Sequence, residues 1–238
     1  MPTAITLAGV DFSASALVKP PPVLPNMDGW AYFGKDLATS QNVGTAGPWT
    51  NHTAGAPIYS PAYMHCQNAT GGLQTPLSWH AAETMLFASR QVPVASQVGA
   101  QALIVSGFNS GFIGYSPYVG VTALQMYNGN TVSLSMPVSP ITDWHFFACT
   151  IGGNTTPMIY DLTRNLSATG AGPVTNTPSG VNLKVFGTGG TAIGTNNGAV
   201  DIAFVANYSG ILTKPQIDAI YASERLTLPF KGVLLIGY

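Results

Sequence analysis

The sequence predicts an all-β sandwich carrying one short helix near its C-terminus. Apolar residues recur in short runs bounded by Gly, Pro, Asn and Ser, which is the rhythm of strands and turns. A strand-period run at residues 198–205 leads into a stretch with helix-start chemistry at residues 213–221. At 238 residues the chain is long enough for a sizeable core, and all-β sandwiches of this size are commonly one domain.

Taken in order, residues 5–13 are expected to form a strand, and residues 19–25 (KPPPVLP) an extended, polyproline-like connector. Residues 29–34 suit a short strand. Residues 37–61 are rich in Gly, Pro, Thr and Asn and are expected to be a long ordered loop or insertion. Within residues 79–90, Ala-Ala-Glu-Thr-Met-Leu has helical character, but the surrounding β runs favour a strand from Thr84. Residues 102–108 are a second core-like run, followed by a loop at residues 109–118. Residues 122–127 and 131–136 flank Asn128-Gly129-Asn130, whose tolerance of positive φ signals a hairpin. Residues 144–151 (WHFFACTI) are set to pair with residues 156–162 across Gly152-Gly153-Asn154, and residues 183–187 form another short strand. No clear internal repeat occurs.

The most specific segment is residues 198–221. Val200, Ile202 and Phe204 alternate with Asp201, Ala203 and Val205, giving a pleated strand with a buried face. Asn207, Ser209 and Gly210 end it. Thr213 lies three residues before Gln216 in capping-box spacing, and Pro215 sits in the first turn, where a missing N–H is tolerated. Ile217, Ile220 and Tyr221 follow at helical spacing.

Gly198, Asp201, Leu212, Thr213, Gln216, Ile217, Ile220 and Tyr221 resemble, position by position, the closing strand, turn and helix of concanavalin A-like (laminin G-like) jelly-roll domains. Trp144-His145-Phe146-Phe147 and Met158-Ile159-Tyr160-Asp161 are similar to that family's tryptophan-opened strand and its partner. The resemblance spans roughly residues 84–221 and implies a jelly-roll β-sandwich over residues 1–227. Residues 228–238 are then a C-terminal extension, an added strand or an interface arm. Many such domains, uncharged and rich in Asn, Thr and Gly, occur in bacteriophage tails and virions.

Charged residues make up only 7% of the chain, against about 25% in an average soluble protein, and the net charge is −1. That balance excludes a basic nucleic-acid binder and opposes no packing beside identical copies. The N-terminus lacks the basic region and long apolar run of a signal peptide, and no segment reaches the roughly 18 apolar residues of a membrane helix. The expected location is a virion assembled in the host cytoplasm. Cys66 and Cys149 are the only cysteines, too few for a disulfide scaffold, and Cys149 lies in an apolar run suited to a buried free thiol.

Catalytic chemistry is sparse. Glycoside hydrolases of the resembled fold carry paired carboxylates on one strand, but here the only glutamates, Glu83 and Glu224, are far apart. Asp143 and Asp161 are expected to be a turn and a surface residue. No G-x-S-x-G, phosphate-binding loop or metal-ligand spacing occurs, and His52, His65, His80 and His145 are scattered. His65 and Cys66 are adjacent on a strand and point to opposite faces, so they form no metal pair. Neither catalytic residues nor cofactors are assigned. The resemblance admits Ca²⁺ at Asp201, although a backbone-bonding role suits that residue better. What remains is a binding surface of aromatic faces beside amides: Trp49 and Tyr59 in the early loop, with His52 beside them, and Asn109, Tyr115 and Tyr118 in the later one. The resulting expectation is a non-enzymatic virion structural or adhesion protein, in a tail fibre, baseplate or head decoration. Its partners would be copies of itself, other virion proteins or cell-surface carbohydrate. A free lectin module is the alternative, and a polysaccharide hydrolase a more distant one.

Overall fold

A computed structural model describes residues 26–37, 40–44, 49–51, 55–67, 71–93, 102–107, 111–118, 121–127, 131–135, 142–175, 183–187 and 198–235. In chain order the strands are β1 (Met27–Tyr32), β2 (Gln41–Gly44), β3 (Thr50–Asn51), β4 (Ile58–Tyr59), β5 (Met64–Gln67), β6 (Gly72–Ser78), β7 (Ala82–Val92) and β8 (Ala102–Gly107). They continue with β9 (Gly111–Tyr118), β10 (Val121–Tyr127), β11 (Thr131–Ser135), β12 (His145–Gly152), β13 (Met158–Asp161), β14 (Leu166–Thr169), β15 (Leu183–Gly187) and β16 (Ala199–Ser209). One helix, α1 (Lys214–Thr227), runs directly into a 3₁₀ turn at Leu228–Lys231. The expected strand at residues 5–13, the connector at 19–25 and the turn Asn128–Asn130 lie outside the described residues.

The strands form two antiparallel sheets, the layers of a jelly-roll β-sandwich. The first is ordered β14-β13-β12-β7-β16-β1-β2, with β5 pairing β16 and β4 pairing β5. The second is ordered β11-β10-β9-β8-β15-β6-β3. β10 and β11 pair from Tyr127↔Thr131, as the hairpin signal requires. β12 and β13 pair as expected, and the turn between them places Gly152, Gly153 and Asn154 all at positive φ.

The first sheet is buried on both faces. Between the sheets lie Ala31, Phe33, Met64, Cys66, Met85, Phe87, Phe147, Cys149, Val200 and Ile202, packed against Ile104, Ile113, Tyr115 and Leu124 of the second sheet. On the outer face, Trp30, Tyr32, Leu86, Phe146, Phe204 and Tyr208 meet Ile217 and Ile220 of α1. Two-sided burial is why WHFFACTI is a continuous apolar run rather than an alternating one. Each large side chain so buried contributes on the order of 1.5–3 kcal/mol.

Five expectations are corrected. In the expected loop at 109–118, the described part, Gly111–Tyr118, is an internal strand, hydrogen-bonded to β8 and β10. Its glycines and proline mark it as a turn in sequence, but ladder partners on both edges satisfy its backbone. Residues 37–61 contain three short strands and feed both sheets. Phe204 does not share a face with Val200 and Ile202. A bulge between Ile202 and Phe204, with Ala203 as the extra residue, turns Phe204 to the outer face and Val205 inward. Both faces are apolar, so the flip strands no hydrophobic side chain in water. Asp161 is not a surface residue but fully buried. Finally, Leu228, Val233 and Leu235 are buried in the outer cluster and Leu235 bridges Trp144, so as far as Leu235 the extension is part of the fold.

The helix start follows its sequence signal. The Thr213 backbone N–H and hydroxyl both donate to Gln216 Oε1, at 2.8 and 2.9 Å. Its buried stripe is Ile217, Ile220, Glu224 and Thr227, one face at 3–4-residue spacing. Glu224 lies against the sheet, where Tyr32 donates to Oε2 at 2.5 Å. Burial pushes the Glu224 carboxyl up to about 8, and the Tyr32 hydrogen bond offsets only part of that rise.

Candidate functional site

The sequence-predicted binding residues do not converge. Trp49 is 3% exposed and packs on Phe186 at a centroid distance of 5.4 Å. Tyr115 is fully buried between the sheets, in hydrogen-bond contact with Ser89 at 3.0 Å and edge-on to Phe147. Both are core residues, which corrects their assignment to a ligand surface. Tyr59 is half-buried and donates to Asn51 Oδ1 at 2.8 Å; burial pushes its hydroxyl up to about 12. Tyr118 ends β9, and Asn109 and His52 lie outside the described residues.

The carboxylates are dispersed too. Asp143 is exposed, whereas Asp161 is buried and holds His145 through Oδ2 to Nδ1 at 2.7 Å. Its other oxygen accepts from the Thr163 and Arg164 amides and the Thr163 hydroxyl. His145 stacks on Phe147, so this pair fastens the end of β13 inside the sandwich.

A different group of residues does converge, on the outer face of the first sheet beside the helix-covered region. In β5, Met64 and Cys66 point into the core, so His65 and Gln67 take the opposite face. Asp201 in β16 stands directly opposite His65 on one side and Arg90 of β7 on the other. The three side chains therefore form one row across three strands. Asp201 is 3% exposed, with Oδ1 2.7 Å from His65 Nδ1 and Oδ2 accepting from Arg90 Nε at 2.8 Å. His65 Nε2 lies 3.4 Å from Gln67 Oε1. The Asp201 hydrogen bond raises the His65 pKa against the opposing effect of burial.

Trp144, one residue before β12, continues the row. The Arg90 guanidinium lies 4.8 Å from the Trp144 ring centroid and 5.3 Å from that of Tyr63. The two rings are themselves 5.6 Å apart. Arg90 and His65 remain 32% and 21% exposed. The result is a partly exposed patch of guanidinium, imidazole, amide and the Tyr63 ring, built over a buried carboxylate and the buried Trp144. Asp201 meets a guanidinium and an imidazole with its two oxygens; among the described residues no group of three or more His, Cys, Asp or Glu converges as a metal cage. Asp201 was visible in the sequence only as an isolated acid. Its partners are 136 and 111 residues away, so only strand register brings them together.

No protein-family model and no curated protein matches the chain. Solved structures do. Botulinum neurotoxin type C, whose cell entry depends on interaction with two ganglioside molecules, superposes with TM-score 0.58 at 12% identity over 84% of this chain and 51% of its own. The binding domain of Paraclostridial mosquitocidal protein 1 gives 0.56 at 10% identity, over 83% of this chain and 52% of its own. A Trypanosoma rangeli sialidase in complex with 2,3-difluorosialic acid gives 0.55 at 11% identity, over 89% and 37%. The chain thus spans about half the length of the toxin structures, and what it shares with all three is the β-sandwich fold.

Proposed function

We propose that the chain is a non-enzymatic glycan-binding adhesion module of a virion, carried on a tail or capsid surface. The observation that carries the reading is the partly exposed pair His65 and Arg90, set on buried Asp201 and Trp144 with partly buried Tyr63 beside them. A sugar offers C–H faces and hydroxyls, and the patch offers the partly buried Tyr63 ring beside fixed N–H donors. The fold is shared with a toxin that enters cells through gangliosides and with a sialidase, which supports a carbohydrate ligand. The uncharged, Asn- and Thr-rich composition supports the virion setting. The test is a glycan array probed with the isolated chain. Glycan binding that falls at least tenfold in Tyr63→Ala is the expected result. Complete absence of glycan binding would overturn the reading.

A second role, in assembly, is favoured by Leu226, Phe230 and Leu234, three exposed apolar side chains along the end of α1 and the segment after it. Oligomers that dissociate in Phe230→Ser, measured by sedimentation, would support it. A monomer at all concentrations would refute it.

A further inference from the structure

We infer that the Arg90 patch is a subsite for a carboxylate-bearing acidic sugar, a conclusion that rests on the glycan-binding reading above. Both oxygens of Asp201 are engaged, by His65 and by Arg90 Nε, and Gln67 Oε1 faces His65 Nε2. The Asp201 carboxylate is thus spent on donors within the patch, and with His65 protonated Gln67 Oε1 accepts from Nε2 as well.

Donors remain. Arg90 uses only Nε on Asp201, and among the described residues its terminal nitrogens donate to no protein acceptor. The Gln67 amide nitrogen is likewise unengaged among the described residues. A neutral sugar needs acceptors for its hydroxyl protons as well as donors. A ligand group that only accepts fits better, and a planar carboxylate matches the fork of a guanidinium.

Charge points the same way. One carboxylate, Asp201, faces one guanidinium and one imidazole, and the patch becomes net positive when His65 is protonated. Arg90 is held from three directions, by Asp201 and by the Tyr63 and Trp144 rings, so little side-chain entropy is lost when it binds. Tyr63, half-buried at the rim, offers the pyranose ring a surface to rest on.

The test measures binding of three polymers to the intact chain by affinity electrophoresis: polygalacturonate (carboxylate), dextran sulfate (sulfate ester) and dextran (neutral). Polygalacturonate is expected to bind at least tenfold more tightly than dextran and more tightly than dextran sulfate. Gln67→Glu, which adds an acceptor and a negative charge without unpairing Asp201, should weaken polygalacturonate at least tenfold. Arg90→Lys should weaken it as well, because the charge stays and the fork is lost. Preference for dextran sulfate would overturn the carboxylate assignment. Glycan binding that needs Tyr63 but shows no preference for polygalacturonate over dextran would overturn this inference and leave the glycan reading standing. Absence of binding to any glycan would end both.

Discussion

Glu224 offers the sharpest test of how the helix is held. Its carboxyl is buried beneath α1, accepts from Tyr32 at 2.5 Å, and is raised from the ordinary 4.5 to about 8. The charged or titratable groups around it are Tyr32 on β1, Tyr208 on β16, and Lys231, which sits over the Tyr32 ring at 5.3 Å. Because the folded value lies above the unfolded one, the native state favours the neutral acid. The contribution to stability is therefore complete below about pH 4.5, shrinks as pH rises, and is gone above about pH 8. The span corresponds to up to about 5 kcal/mol, since each pH unit across the window is worth about 1.4 kcal/mol. Glu224→Gln keeps an acceptor for Tyr32 and cannot ionise. Urea denaturation of both proteins at pH 5, 7 and 9 isolates this group, because every other titration cancels in the difference. The variant should gain several kcal/mol on the native protein between pH 5 and 9. A difference constant to within about 1 kcal/mol would refute the burial of Glu224 as the source of the effect.

Three further outcomes are expected. Asp201→Asn should cost about 2–4 kcal/mol in thermal or chemical denaturation, because it leaves Arg90 and His65 on either side of it without their shared anion. It should also lower the His65 titration midpoint seen by NMR; that residue stabilises the fold at pH below about 6.5, and its contribution fades as pH rises through the folded value. Gly187→Ala should cost more than about 2 kcal/mol: φ is +86°, and a Cβ there would lie 2.4 Å from Cys66 Sγ across the sandwich, so Cys66→Ala in the same chain should recover part of the loss. Tyr115→Phe should cost about 1 kcal/mol through the lost Ser89 contact and leave glycan binding untouched, whereas a loss of binding would return Tyr115 to the ligand surface.

The elements whose signals are local could be read from the chain. The Thr213/Gln216 box and the Ile217–Ile220 stripe define α1 within one short window, and apolar runs bounded by turn residues place β7, β12 and β13. β9 could not be read in this way. Gly111, Gly114 and Pro117 carry turn propensity, and only pairing with β8 and β10 overrides it. The binding surface failed for a related reason. Trp49 and Tyr115 have the composition of a ligand contact, but an aromatic ring is equally suited to a core, and burial decides between the two.

From the sequence alone came the fold class, the helix and its cap, the hairpin pairings and the low charge, all carried by neighbours a few residues apart. Tertiary structure decided which face each strand presents, through the bulge at Ala203, and which side chains meet. His65, Arg90, Trp144 and Asp201 are separated along the chain by up to 136 residues and share one row only because β5, β16, β7 and β12 lie side by side in register. Register is a property of the whole sheet, set by burial on both of its faces, and no local window of sequence contains it.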